Sequence, residues 1–270
     1  MDRDWDNLII LDACRFDYFA EHNTMDGELH RIVSQGSHSR EFIEATFSGE
    51  AFHDTILVTA NPFVEDIDDD VFFRVCYADV LDHWDESLRT VPPSAIVDLT
   101  VEMHKQYPDK RIISHFMQPH APYIGPTGIK LSEQNQFGVF NPNKDELDVP
   151  DAGISRAVRE GYVDPDELRQ AYAENVEIAI EHAEQLVQRL DGRSVITADH
   201  GEALGERGVF LKHYGHSPHL YVPELRTVPW FVVPGNERRN VTAGTPASYE
   251  RLDDQTRSSR LQALGYVQED

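Results

Sequence analysis

Five short apolar runs constrain this chain most. They are Asn7-Leu-Ile-Ile-Leu11, Thr55-Ile-Leu-Val-Thr59, Arg111-Ile-Ile-Ser-His115, Ser194-Val-Ile-Thr197 and Val228-Pro-Trp-Phe-Val-Val233. Each has the length and β-branched content of a buried strand. Helical patterns separate them. One runs from Pro92 to His104; the clearest runs from about Asp164 to Leu190, with Ala171, Val176, Ile180, Ala183 and Leu186 among its apolar set. Asp164-Pro165 supplies capping chemistry at its start and Asp191-Gly192 a stop at its end. Strands alternating with helices predict an α/β sheet covered on both faces. A terminal helix is expected over Leu252–Leu264.

The 270 residues suit a single domain over 1–270. Residues 123–165 interrupt its rhythm with Gly, Pro, Asn and Gln, and read as an inserted lid or substrate loop. The charge narrows the partners. With 48 Asp+Glu against 24 Lys+Arg, the formal net charge is −24, so a nucleic acid would meet a repelling surface. The acids are dispersed and only five cations are Lys. That balance fits a halophile's protein kept soluble in concentrated salt. The run Glu65-Asp-Ile-Asp-Asp-Asp70 lacks the Gly and distal Glu of a calcium loop, and reads as a solvated acidic loop. No apolar run approaches a membrane span and no leader pattern stands out, so a cytoplasmic location without an integral membrane segment is expected. Cys14 and Cys76 make neither a disulfide framework nor a thiolate zinc site.

Reactive groups of α/β sheets gather beyond the carboxyl ends of strands. Asp12 follows the first apolar run, His115 and His120 follow the third, and Asp199-His200-Gly201 follows the fourth. Asp12 reads equally as a ligand or as a cap for a helix near Cys14. Adjacent Asp199 and His200 on a turn can face one divalent ion, with Gly201 allowing close backbone approach. His213, His216 and His219 recur at intervals of three, but Gly215, Pro218 and Pro223 make that segment a loop, with one imidazole expected to touch a site. Glu202 is expected to orient rather than react. Tyr172 and Asn175 lie on the long helix, within possible reach.

Four blocks in order resemble the alkaline phosphatase/sulfatase superfamily, more specifically its sulfatase-like branch. They are Asn7-Leu-Ile-Ile-Leu-Asp-Ala-Cys-Arg-Phe-Asp17; His115-Phe-Met-Gln-Pro-His-Ala-Pro-Tyr123; Val195-Ile-Thr-Ala-Asp-His-Gly-Glu202; and Gly215-His216 with Glu224-Leu-Arg-Thr-Val-Pro-Trp230. Arg260-Leu-Gln-Ala-Leu-Gly-Tyr266 resembles a common tail of such proteins. The resemblance implies an alkaline-phosphatase-like central mixed, mostly parallel sheet. It implies metal ligation by Asp12, Asp199 and His200, with His216 as a further ligand or substrate-facing group. His120 and His115 would line the substrate, as would Lys212, which is otherwise an ordinary exposed amine. Gln118 stands where related sequences often carry Asp, so one ion (Mn, Zn, Mg or Ca) is expected, with a second possible through His216 and His213.

The nucleophile departs from sulfatases. No Cys- or Ser-x-Pro-x-Arg signature is present, so no formylglycine is expected. The corresponding place holds Gly36-Ser37-His38-Ser39-Arg40-Glu41-Phe42. A hydroxyl there is an N-cap by default, yet a helix N-terminus and a metal both favour an oxygen nucleophile. Ser39 is preferred to Ser37, and both to Thr46. Arg40 either holds anionic oxygens or sits on a solvated face. The expected activity is metal-dependent hydrolysis or transfer of phosphate or sulfate esters, acting on a small anionic ester. The alternatives are a degenerate, non-catalytic anion binder and a phosphomutase-like isomerase.

Overall fold

Asn7–Asp12 forms β1, and all six of its residues are buried. Burial along a whole strand means both faces are covered, which its apolar run predicts. The computed structural model describes residues 4–134, 154–207, 212–235, 237–249 and 251–264. In chain order, β1 is followed by α1 (Phe16–His22), β2 (Glu28–Val33), α2 (Ser39–Phe47), β3 (Phe52–Thr59), a 3-10 turn (Pro62–Asp66) and β4 (Phe72–Cys76). Then come α3 (Ala78–Leu81), α4 (Pro93–Gln106), β5 (Arg111–Pro119), α5 (Pro126–Gln134), α6 (Ile154–Arg159) and α7 (Pro165–Arg189). The chain ends through β6 (Ser194–Ala198), β7 (Ala203–Arg207), β8 (Lys212–Gly215), α8 (Pro223–Arg226), β9 (Thr227–Val232) and α9 (Asp254–Ala263).

The described strands give a seven-stranded sheet in the order β2-β9-β6-β1-β5-β3-β4, and β7 pairs with β8 in a separate two-stranded sheet. β9 runs antiparallel to both neighbours, whereas β6, β1, β5, β3 and β4 are mutually parallel. The expected mixed, mostly parallel sheet is therefore present. All five expected strands form. β2 and β4 are additions that the sequence reading missed: β2 alternates weakly, and β4 follows the acidic run closely.

α7 opens as its sequence predicts. The Asp164 side chain accepts from the Asp166 amide at 2.7 Å, with Pro165 in the first turn. Its buried face carries Ala171, Tyr172, Asn175, Val176, Ala179, Ala183 and Leu186. The alanines let the helix lie close to β5, α4 and α1, which it contacts. On a different flank, Phe42 and Phe47 of α2 pack edge-on, and Phe47 packs against Phe52 and Phe72. Both cysteines are free and buried.

Two expectations change here. The ends of the 123–165 insertion are helical (α5 and α6), while 135–153 lie outside the described residues. The acidic run is not simply solvated. Glu65 is buried, accepts from the Leu252 amide at 2.7 Å and pairs with Arg257 at 3.1 Å. Asp66 pairs with Arg257 and Arg40, and Asp69 pairs with Arg251 at 2.5 Å. The run docks the C-terminal segment, because arginines distant in sequence fold back onto it. Of the tail motif, Gly265 and Tyr266 lie outside the described residues.

Candidate active site

Register builds the site. Leu11 of β1 pairs with Ala198 of β6, so the next residues, Asp12 and Asp199, emerge side by side. On the other flank, Ile10 and Thr59 both pair with His115 of β5. The carboxyl ends of β1, β3, β5 and β6 thus meet at one place, the position an α/β sheet reserves for reactive groups.

Asp12, Asp199 and His200 are fully buried, and His115 nearly so. Asp12 does not cap α1, whose N-cap position is held by Arg15. Its carboxylate accepts from Asn61 Nδ2 at 2.9 Å and from Ser39 Oγ at 3.3–3.4 Å. Asp199 Oδ1 accepts from the amides of Ala13 (3.0 Å) and His200 (2.8 Å), which aims Oδ2 inward. His200 Nδ1 donates to Gly201 O at 2.7 Å, since a carbonyl can only accept. That leaves Nε2 facing Asp12 Oδ1 at 3.4 Å and Asp199 Oδ2 at 3.6 Å. Gly201 makes this turn possible, because a Cβ there would stand 2.1 Å from Glu224 O.

These residues fit a metal ion. Asp12, His115 and Asp199 each offer a ligand atom within 4.8 Å of the others. His115 Nε2 and Asp199 Oδ2 lie 3.8 Å apart, both buried and without a hydrogen-bond partner among the described residues. Buried polar atoms left without a partner are costly, and a cation held between them would satisfy both. Burial opposes charging of His200, yet Asp199 and then Asp12 outweigh it and raise its pKa to about 10. Burial likewise opposes ionisation of Asp199, and His200 and His115 outweigh that to hold it well below the usual range. Two buried carboxylates thus favour a proton on His200 Nε2, and a divalent ion bound by N and O donors would displace that proton and balance their charge. His115, expected to line the substrate, lies beside Asp12 and Asp199.

A cluster of imidazoles continues from His200. His216 lies 4.5 Å from it between ring centroids, His120 lies 4.9 Å from His216, and His38 lies 5.3 Å from His216. His216 Nδ1 bonds Glu202 Oε2 at 3.0 Å, so Glu202 orients it as expected. Burial pushes Glu202 up to about 7 and His216 well below its ordinary value, the latter helped by His200 and His120. His38 falls to about 2 by burial and the neighbouring imidazoles. Of the other two loop histidines, His219 is exposed beside Glu41 and His213 sits in β8 rather than a loop.

Ser39 differs from expectation in an informative way. It is the first residue of α2, and the cap is His38, whose Nδ1 accepts from the Arg40 amide at 3.1 Å. The fully buried Ser39 hydroxyl is turned to the site, with Oγ 3.1 Å from His200 Nε2. Ser37 is engaged elsewhere: its Oγ donates to Glu41 Oε2 at 2.8 Å, and its amide does likewise at 2.8 Å. Thr46 lies two turns along α2. Arg40 pairs with Asp66 and stacks on Phe63 instead of facing the imidazoles. Lys212 is exposed at the start of β8. The Gln118 amide donates to Val91 O at 3.2 Å. Asn61 and His38 were missed by sequence reasoning. The only signal for Asn61 is an Asn-Pro pair just past an apolar run.

No protein-family model matches the sequence, and no curated protein matches it. Solved structures do. The C-terminal periplasmic domain of EptC from Escherichia coli, in complex with Zn, matches at TM-score 0.53 and 15% identity over 84% of this chain and 71% of that one. The integral membrane lipooligosaccharide phosphoethanolamine transferase A from Neisseria meningitidis matches at TM-score 0.51 and 13% identity, over 83% of this chain and 47% of that one. A Vibrio parahaemolyticus protein described as in the alkaline phosphatase superfamily matches at TM-score 0.47 and 11% identity, over 89% of this chain and 62% of that one. The fold, an α/β fold built on a mixed, mostly parallel sheet, is shared with the EptC and phosphoethanolamine transferase A structures. Among the described residues, no helix is long and apolar enough to cross a membrane.

Proposed function

We propose that this chain is a metal-dependent enzyme that transfers or hydrolyses phosphate or sulfate esters, with Ser39 as its nucleophile. The observation that carries the reading is the buried Ser39 hydroxyl, at the N-terminus of α2 and within 3.1–3.4 Å of His200 Nε2 and Asp12. A structural serine has little reason to sit there. The helix is already capped by His38, and its positive end favours an anionic oxygen.

Asp12, Asp199 and His200 would hold a divalent ion, with His115 or His216 completing the set. When bound, the ion supplies Lewis-acid stabilisation of the ester oxygens and lowers the cost of deprotonating a nearby hydroxyl. Asp12 stands as acceptor for the Ser39 proton. Ser39 Oγ attacks the central phosphorus or sulfur in line, the bond to the leaving alcohol breaks, and a Ser39 ester forms. Water or an acceptor alcohol then attacks that ester and restores the hydroxyl. His120 and His216 line the same cluster, where they would bind the equatorial oxygens of the transferred group. The lack of a formylglycine signature favours phosphoryl over sulfuryl transfer. The phosphoethanolamine transferase named among the structural neighbours fits a transferase as readily as a hydrolase.

The test combines metal analysis with a Ser39→Ala comparison on aryl phosphate, phosphodiester and aryl sulfate substrates. Stoichiometric metal, loss of turnover in Ser39→Ala and a phosphoryl adduct on the Ser39 peptide are expected. Protein without bound metal, with turnover unchanged by Ser39→Ala, overturns the reading.

A further inference from the structure

Two fully buried polar side chains on α7, Tyr172 and Asn175, take no part in the chemistry above. Residues three apart on a helix share a face, and this face meets the two loops that carry the site. The Tyr172 hydroxyl donates to Ala13 O at 2.7 Å and accepts from the Arg15 amide at 3.0 Å. It therefore bridges Ala13 and Arg15, bracing from the side the turn that the Cys14 amide closes onto Leu11 O at 3.3 Å. That turn needs support. Ala13 has φ of 61°, a left-handed conformation that a Cβ disfavours. Its amide is also one of the two that hold Asp199 Oδ1.

Asn175 does the equivalent for the loop after β5. Its Oδ1 accepts from the Ile124 amide at 2.8 Å, and its Nδ2 lies 3.3 Å from the carbonyls of Pro119, His120 and Pro122. The two prolines lack an amide proton, so backbone pairing alone serves this loop poorly. The loops are themselves joined, because the His120 amide donates to Asp12 O at 3.0 Å.

We infer that α7 is a brace for the active site, with Tyr172 positioning Asp12 and Asp199 for the metal and Asn175 positioning His120 for the anionic group. Both are positioning residues, and the inference rests on the proposed metal-dependent reading. A helix anchored along its length by apolar packing holds these groups still. The loops it grips would otherwise sample several conformations, and second-layer partners of this kind set metal affinity through the ligands they orient.

The experiment uses the full chain, stripped of metal and titrated with Co2+, whose visible spectrum reports ligand geometry, and then with inorganic phosphate. Tyr172→Phe removes one oxygen. It is expected to weaken Co2+ binding on the order of tenfold and to change the spectrum. Asn175→Ala is expected to leave the Co2+ spectrum as in the parent and to weaken phosphate binding about fivefold or more. Ser194→Ala, which removes a buried bond to Asn7 at the far end of the sheet, serves as the stability control and should change neither. Should Tyr172→Phe keep the parent's affinity and spectrum, or Asn175→Ala bind phosphate as the parent does, the brace is refuted while the metal reading stands. A parent chain that binds no Co2+ refutes both. A Ser194→Ala variant that reproduces the Tyr172→Phe spectrum shows a general loss of stability, and that also refutes the brace.

Discussion

Ser39 Oγ lies 3.1 Å from His200 Nε2, although 161 positions of sequence separate them. A hydroxyl opening one helix and an imidazole ending one strand share a buried, solvent-excluded point. Such contacts are worth more there than at the surface, because little water screens them.

Removal of Asp12 tests the centre directly. Asp12→Ala deletes a carboxylate that faces His200, Ser39 and Asn61. Affinity for Zn2+ or Mn2+ is expected to fall by more than roughly 100-fold, beyond the usual loss for an outer partner. Metal titration of folded variant and parent, with folding checked by circular dichroism, provides the comparison. Chelation of the parent should abolish turnover, and added metal should restore it.

The pH dependence of stability should carry the signature of His38. Its folded pKa of about 2 lies below the ordinary 6.5, through burial and then the neighbouring imidazoles. The unfolded chain therefore takes up a proton below pH 6.5 that the folded chain refuses. Stability is full above 6.5 and declines as pH falls, by roughly 1.4 kcal/mol per unit from this group. His38→Asn retains a capping acceptor for Arg40 and removes the titration. Urea melts between pH 7 and 5 should show a shallower decline in the variant, and equal slopes would contradict the assignment.

Gly201→Ala should disturb the centre although it adds only a methyl group. The added carbon would stand 2.1 Å from Glu224 O, a backbone atom that cannot swing aside. The turn that holds Asp199 and His200 must shift. Expected outcomes are a loss of about 1–3 kcal/mol in stability and weaker metal binding, measured by denaturation and titration.

The docked C-terminal segment supplies a fourth test. Glu65 receives the Leu252 amide and Arg257, so Glu65→Ala removes the acceptor of the Leu252 amide and leaves Arg257 paired with Asp66. A cost of about 2 kcal/mol is expected. It should appear as faster amide exchange over 251–264, with exchange in β1 and β6 changed less.

Much of the fold was legible because local rules govern it. Asp164 and Pro165 started α7 as capping chemistry requires, and the apolar runs at 7–11 and 194–197 became buried strands, one ending at Asp12 and the other just before Asp199. β2 was harder to read, since its residues alternate between exposed and half-buried. The acidic run misled for a related reason. Its charge partners, Arg251 and Arg257, lie far along the chain, and composition says nothing about which charges meet.

By itself, the sequence determined the strand ends, the residue types standing there and the hydroxyl-rich start of α2, since each depends on neighbours a few positions away. Tertiary structure alone decided which of those groups converge. The pairing of Leu11 with Ala198 set Asp12 beside Asp199, and the capping of α2 by His38 released Ser39 to face them. Tyr172 and Asn175 acquired their grip on the loops only when α7 packed against the sheet. Pairing and packing join residues more than a hundred positions apart, and a local pattern carries no record of such distances.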